Sequence, residues 1–196
     1  MPRKTRTSLL YDGCFAHIIS RSIRKEQVFK QDQDFHFFLH LIKEAKENHA
    51  FNLFHYCLMQ THFHLVVQIL SMNDFAKALN YLKCRYVFYF HAKYQQSGPI
   101  WRERYRSLLI EDFGYLYACG QYVEFNPVKA EIVKVKEDWK FSSAKHYHGG
   151  TKNLLLDSYE IPNSKVKIDI KSSDEFEKGD GIGSEIFKFK LRRDIQ

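Results

Sequence analysis

Two imidazoles stand one residue apart in the run Thr61-His62-Phe63-His64-Leu65-Val66-Val67-Gln68. On a β-strand alternate side chains share a face, so His62 and His64 would lean the same way, ~6.5–7 Å apart along the backbone. Phe63, Leu65 and Val67 would take the opposite face and point into a core. Two imidazoles on one face can converge on a divalent cation, although a solvated sheet face could carry the same pair. His146-Tyr147-His148 has the same spacing, but it lacks apolar alternation and runs into Gly149-Gly150, as a loop would.

The second candidate is Tyr122-Val-Glu-Phe-Asn126-Pro127-Val-Lys-Ala130. Tyr122 and Asn126 are four residues apart, on one face of a helix and ~6 Å along its axis. An amide oxygen there could add a third ligand to a metal. Tyr115, Cys119, Tyr122 and Asn126 also recur with helical period, which equally describes an aromatic core stripe closed by a C-terminal Asn.

The elements that must position these residues follow from periodicity. Cys14 to Ser22 has the apolar run of a strand. Asp32 and Asp34 can cap a helix carrying Phe35, Phe38, Leu39, Ile42 and Ala45 on one stripe. Phe51–Met59 and His62–Ile69 alternate and are joined by Gln60-Thr61, which makes an antiparallel hairpin. Asn73 and Asp74 cap a second helix bearing Phe75, Leu79, Leu82, Tyr86 and Phe90, broken at Gly98-Pro99. Ser107–Ile110 reads as a short strand. Asp112 caps a third helix to about Phe125, beyond which Pro127 disfavours helical Asn126. The order β-α-β-β-α-β is the ferredoxin-like split βαβ plan, an α+β fold. Its helices would lie on one face of an antiparallel sheet and leave the other face for a ligand. Residues 150–196 lose this patterning and read as a C-terminal tail of low order or a small packed extension.

The chain has 196 residues, 44% of them hydrophobic and 16% aromatic, enough for one packed domain and too many for disorder. The longest apolar run, Leu65 to Leu70, is interrupted by Gln68, far short of the ~18 residues that span a membrane. No apolar segment follows the basic start Met1-Pro-Arg-Lys, so a secretory signal is not expected and a cytoplasmic protein is. Cys14, Cys57, Cys84 and Cys119 are scattered without a C-x-x-C pair, as expected of buried, reduced thiols. Net charge is +7. Arg21, Arg24 and Lys25 near the start, and Arg102, Arg104 and Arg106 among the aromatics of Trp101-Arg-Glu-Arg-Tyr-Arg106, suit a groove that tracks phosphates. A merely soluble basic surface would look the same.

Three stretches together resemble a known family. Cys57-Leu-Met-Gln-Thr-His62-Phe-His64-Leu-Val resembles the His-hydrophobic-His motif of single-tyrosine HUH transposases, most of all their REP-associated tyrosine transposase branch. Tyr122 to Ala130 resembles that family's tyrosine helix, and Gly98 to Glu111 is similar to its Trp/Arg-bearing connecting segment. The opening Met1-Pro-Arg-Lys and Ile19-Ser-Arg21 are similar too. The likeness covers residues 1–149, with Gln60-Thr61 standing where the family shows Pro-Asn.

The resemblance implies that Tyr122 is a nucleophile, that His62 and His64 bind a metal, and that Asn126 sits at the third, amide-type ligand position. It implies magnesium or manganese, where imidazole softness alone would suggest zinc. The implied substrate is single-stranded DNA with hairpin ends, nicked through a 5′-phosphotyrosine and rejoined by a second 3′-hydroxyl without ATP. Arg21, Arg24, Lys25, Arg102, Arg104 and Arg106 are the candidate phosphate contacts. Either a monomer or a homodimer is compatible with it. The alternatives are a nucleic-acid-binding module with an inactive site, and a structural zinc protein built on His62 and His64.

Overall fold

A computed structural model describes residues 10–158. The elements in chain order are β1 (Phe15–Arg21), α1 (Asp32–Asn48), β2 (Phe51–Met59), β3 (His62–Ile69), α2 (Met72–Tyr94), β4 (Arg106–Ile110), α3 (Phe113–Lys129) and α4 (Ala144–His148). The strands form one antiparallel sheet in the order β2-β3-β1-β4, as the split βαβ plan requires. The expected α+β fold is the one observed.

Strand alternation divides the core in two. Ala16, Ile18, Leu58, Phe63, Leu65 and Val67 point to the face covered by α1 and α2, where they meet Phe35, Phe38, Phe75, Leu82 and Tyr86. Asp34 joins these two helices. Its carboxylate accepts from the backbone N–H groups of Lys30 and Gln31, closing the first turn of α1. It also accepts from Lys93 Nζ at 2.7 Å and Tyr94 Oη at 2.7 Å on α2. Burial raises the Asp34 carboxyl, but these donors outweigh it and hold it below the usual carboxylate value. The Ser71 hydroxyl, two residues before Asn73 and three before Asp74, caps α2 by accepting from Asp74 N.

The second face is less open than expected. Cys57, Met59, Val66 and Ile110 point there and pack under Leu116, Cys119, Tyr122 and Val123 of α3. The two helices of the βαβ plan do lie on one face, but the helix that follows crosses to the other, because its own apolar stripe also needs cover. That helix runs past Pro127 to Lys129 instead of stopping near Phe125. A proline at 127 cannot donate to the carbonyl of Val123. The Asn126 side chain does so instead: its Nδ2 donates to Val123 O at 3.2 Å and Tyr122 O at 2.9 Å.

The outer edge of β2 is covered by the chain that follows α3. Leu58 N donates to Phe141 O, Ser143 N to Tyr56 O, and Asp157 N to Leu53 O. Residues 151–158, the first of the extension, therefore lie on the domain and blunt a sheet edge. The basic opening residues and the extension from 159 onward lie outside the described residues. Cys14, Cys57 and Cys119 are buried free thiols, whereas Cys84 is exposed on the outer side of α2, between the inward-facing Leu82 and Tyr86. Among the described residues no helix is long and apolar enough to cross a membrane.

Candidate active site

The β1–β3 ladder places Arg21 opposite His62, Ile19 opposite His64 and His17 opposite Val66, so all share the face that α3 covers. His17, which no motif in the sequence marks, completes the histidine group: its Nε2 lies 2.9 Å from His64 Nδ1. The His62 and His64 rings are 4.9 Å apart between centroids. Thr61 Oγ1 engages His62 Nδ1 at 2.9 Å. Both candidate ligands thus have Nδ1 occupied, which leaves Nε2 for an ion. His64 Nε2 is buried without a hydrogen-bond partner among the described residues, a cost that a bound cation would remove.

Burial and the nearby Arg21 guanidinium lower the His17 pKa to about 3 and that of His62 to about 4. His64 is pushed well down by burial, by its histidine neighbours, and by Arg21 and Lys129. All three are therefore neutral near pH 7, the form that ligates metals. Among the described residues no three His, Cys, Asp or Glu side chains are grouped to hold a metal. Cys57 stands opposite His64, but burial raises its thiol well above the usual value, and it points at Met59 Sδ. A thiolate-rich zinc centre is not built here.

Tyr122 hangs from α3 over this group. Its ring centroid is 6.2 Å from that of His17 and 6.3 Å from that of His64, in edge-on geometry. Helix α3 places it there because Asp112 caps the first turn by accepting from Tyr115 N, and because Leu116, Cys119 and Val123 bury the stripe beside it. The stripe is a core face that continues past Asn126, and its tyrosine lies against the histidines. Asn126 is buried on the same side; its Nδ2 serves the helix carbonyls and Oδ1 makes neither of those bonds. Lys129, a second residue not singled out from sequence, is two turns beyond Tyr122, and its ammonium lies 4.3 Å from the ring centroid.

Four of the six candidate phosphate contacts gather beside His62. Arg21, Ser22, Arg24, Lys25, Thr61 and Arg102 line one cleft. Ser22 bridges Trp101, and Arg102 N donates to Arg21 O at 2.9 Å, so the segment after α2 brings its arginine to the end of β1. Arg24 and Lys25 have positive φ, 52° and 59°, which turns the chain sharply around the cleft. Arg104 is exposed and does not line this cleft, and Arg106 sits opposite Ile19 with its guanidinium on Glu103 at 2.8 Å.

A family model described as "Transposase IS200 like" matches residues 11–126, from before β1 to Asn126. The chain belongs to the IS200-like transposase family. A Haemophilus influenzae protein named as a REP-associated tyrosine transposase is 32% identical in an alignment 141 positions long that covers 65% of this chain and 78% of that protein. A solved structure described as a REP-associated tyrosine transposase bound to a REP hairpin superposes with a TM-score of 0.62. It is 19% identical and covers 88% of this chain and 100% of its own. At that identity the likeness speaks for the IS200-like fold alone.

Proposed function

We propose that this IS200-like transposase nicks and rejoins single-stranded DNA bearing hairpin ends, with Tyr122 as nucleophile. The observation that carries the reading is Tyr122 edge-on to a histidine pair whose buried Nε2, on His64, has no protein partner among the described residues. The hairpin is proposed from the relative described as bound to a REP hairpin.

His62 and His64, with Asn126 as an amide donor, would hold magnesium or manganese. Such an ion neutralises charge on phosphate oxygens and steadies a leaving oxygen. The protein's own groups do the rest. The strand lies in the cleft of Arg21, Arg24, Lys25 and Arg102 beside His62, which brings a phosphodiester under Tyr122. The phenol ordinarily titrates near ~10 and must lose its proton to react. Lys129 holds a fixed positive charge over the Tyr122 ring, beside the reacting phosphate, and the proton passes to water. Tyr122 Oη bonds to phosphorus, the bond from phosphorus to the 3′ oxygen breaks, and the 3′ oxygen takes a proton from water. The phosphotyrosine keeps the energy of the diester, so a second 3′-hydroxyl can reverse the step and join strands.

The test is incubation of the protein with labelled single-stranded DNA carrying hairpins from the flanks of its gene, with and without Mg²⁺ or Mn²⁺, on a denaturing gel. A metal-dependent covalent band that disappears in Tyr122→Phe, while the hairpin is still retarded on a native gel, is the expected result. Retardation indifferent to chelator, with no covalent band in any metal, would make the protein a binding module.

A further inference from the structure

A second polar group lies buried on the far side of α3. His55 on β2 and Glu124 are 1% and 0% exposed, and His55 Nδ1 donates to Glu124 Oε1 at 2.8 Å. The same oxygen accepts from Ser143 Oγ at 2.7 Å, and Ser143 is anchored by the backbone of Tyr56. Lys136 Nζ and His148 Nε2 stand 3.9 and 3.3 Å from the other carboxylate oxygen. The His55 ring stacks on Tyr147 and lies directly on Gly120, where an added Cβ would come within 2.4–2.6 Å of three ring atoms. The chemistry above uses none of these groups.

We propose that the His55–Glu124–Ser143 network, seated on Gly120, is a positioning device that sets the roll and height of α3 and so aims Tyr122 at the His17–His64 pair. Gly120 and Glu124 are two residues before and after Tyr122, so they lie ~160° around the helix from it. The apolar stripe between them tolerates small rolls because dispersion contacts are non-directional. A hydrogen-bonded carboxylate is not tolerant, since a buried polar group pulled off its partners keeps its full desolvation cost. A roll of ~10° would move an atom ~8 Å from the helix axis by more than ~1 Å, enough to spoil an in-line attack. The apolar contacts therefore hold the helix down, and the polar group fixes which way it faces.

The kinetic side of this inference rests on Tyr122 as nucleophile, so the test has a second, activity-free arm. His55→Leu removes the donor, Gly120→Ala forces the ring and helix apart, and His55→Asn restores a donor near Nδ1. Asp34→Asn is a control that weakens the α1–α2 face instead. At saturating hairpin DNA, His55→Leu and Gly120→Ala should slow covalent adduct formation ~10-fold or more with hairpin affinity within ~3-fold. His55→Asn should recover most of the rate, and Asp34→Asn should leave it within ~2-fold. In the same His55→Leu protein, amide hydrogen exchange should rise in residues 115–126 and stay unchanged in α1 and α2. Unchanged exchange in α3, or an equal rate loss in Asp34→Asn, would overturn the proposal. If the wild-type chain forms no adduct yet α3 loosens as described, positioning of Tyr122 stands and the nicking reading falls.

Discussion

His17 Nε2 meets His64 Nδ1 at 2.9 Å across the β1–β3 ladder, and the same His17 ring lies edge-on to Tyr122. One imidazole thus touches both the candidate metal ligand and the candidate nucleophile. Fixing Nδ1 of His64 determines which nitrogen faces outward to a ligand, the role that second partners of metal-bound histidines commonly play.

His17→Leu should therefore weaken Mn²⁺ binding ~10–100-fold while preserving the fold. Titration of Mn²⁺ followed by electron paramagnetic resonance measures this directly. An unchanged Mn²⁺ affinity would mean that His17 only packs.

The basic cleft makes a quantitative prediction about salt. If Arg24, Lys25 and Arg102 each neutralise one phosphate, replacing any one by Ala should reduce the slope of log affinity against log salt by ~0.7–0.9. Arg104→Ala, whose side chain does not line the cleft, should leave the slope unchanged. Fluorescence anisotropy with a labelled hairpin between low and moderate salt would separate the two classes.

Asp34 predicts how stability depends on pH. Its carboxyl titrates lower in the folded chain than in the unfolded one, because the bonds from Lys93, Tyr94 and the Lys30 and Gln31 amides outweigh burial. The stabilisation is thus complete above the unfolded value of ~3.9 and is lost as pH falls through the lower folded value. Asp34→Asn should cost ~2–3 kcal/mol at pH 7, and that difference should shrink steadily below about pH 4. Denaturant melts of both proteins across this range measure it; a difference that does not narrow in acid would contradict the assignment.

Much of the frame was legible because it depends on local pattern. The hairpin of β2 and β3 follows from two alternating runs around Gln60-Thr61, and the α1 and α2 stripes from a 3.6-residue period. His62 and His64 could be put on one face from spacing alone, and Tyr122 with Asn126 on another. The errors came where a side chain replaced a backbone group or an element needed a distant partner. Pro127 looked like the end of α3, yet the Asn126 amide supplies the missing donor and the helix continues to bring Lys129 back over Tyr122.

By itself the sequence determined the kinds of group available: paired imidazoles on a strand, a tyrosine on a helix and a basic excess. Their periods are properties of single elements, fixed by backbone geometry. Only the tertiary structure decided that these elements meet. Antiparallel register across β1 and β3 put His17 on His64, and the crossing of α3 to the second face set Tyr122 above both. A bridge from Ser22 to Trp101 carried Arg102 to the cleft of Arg21. Those contacts join residues 47 to about 100 positions apart. No local period encodes them; they follow from burying two apolar faces of one sheet at once.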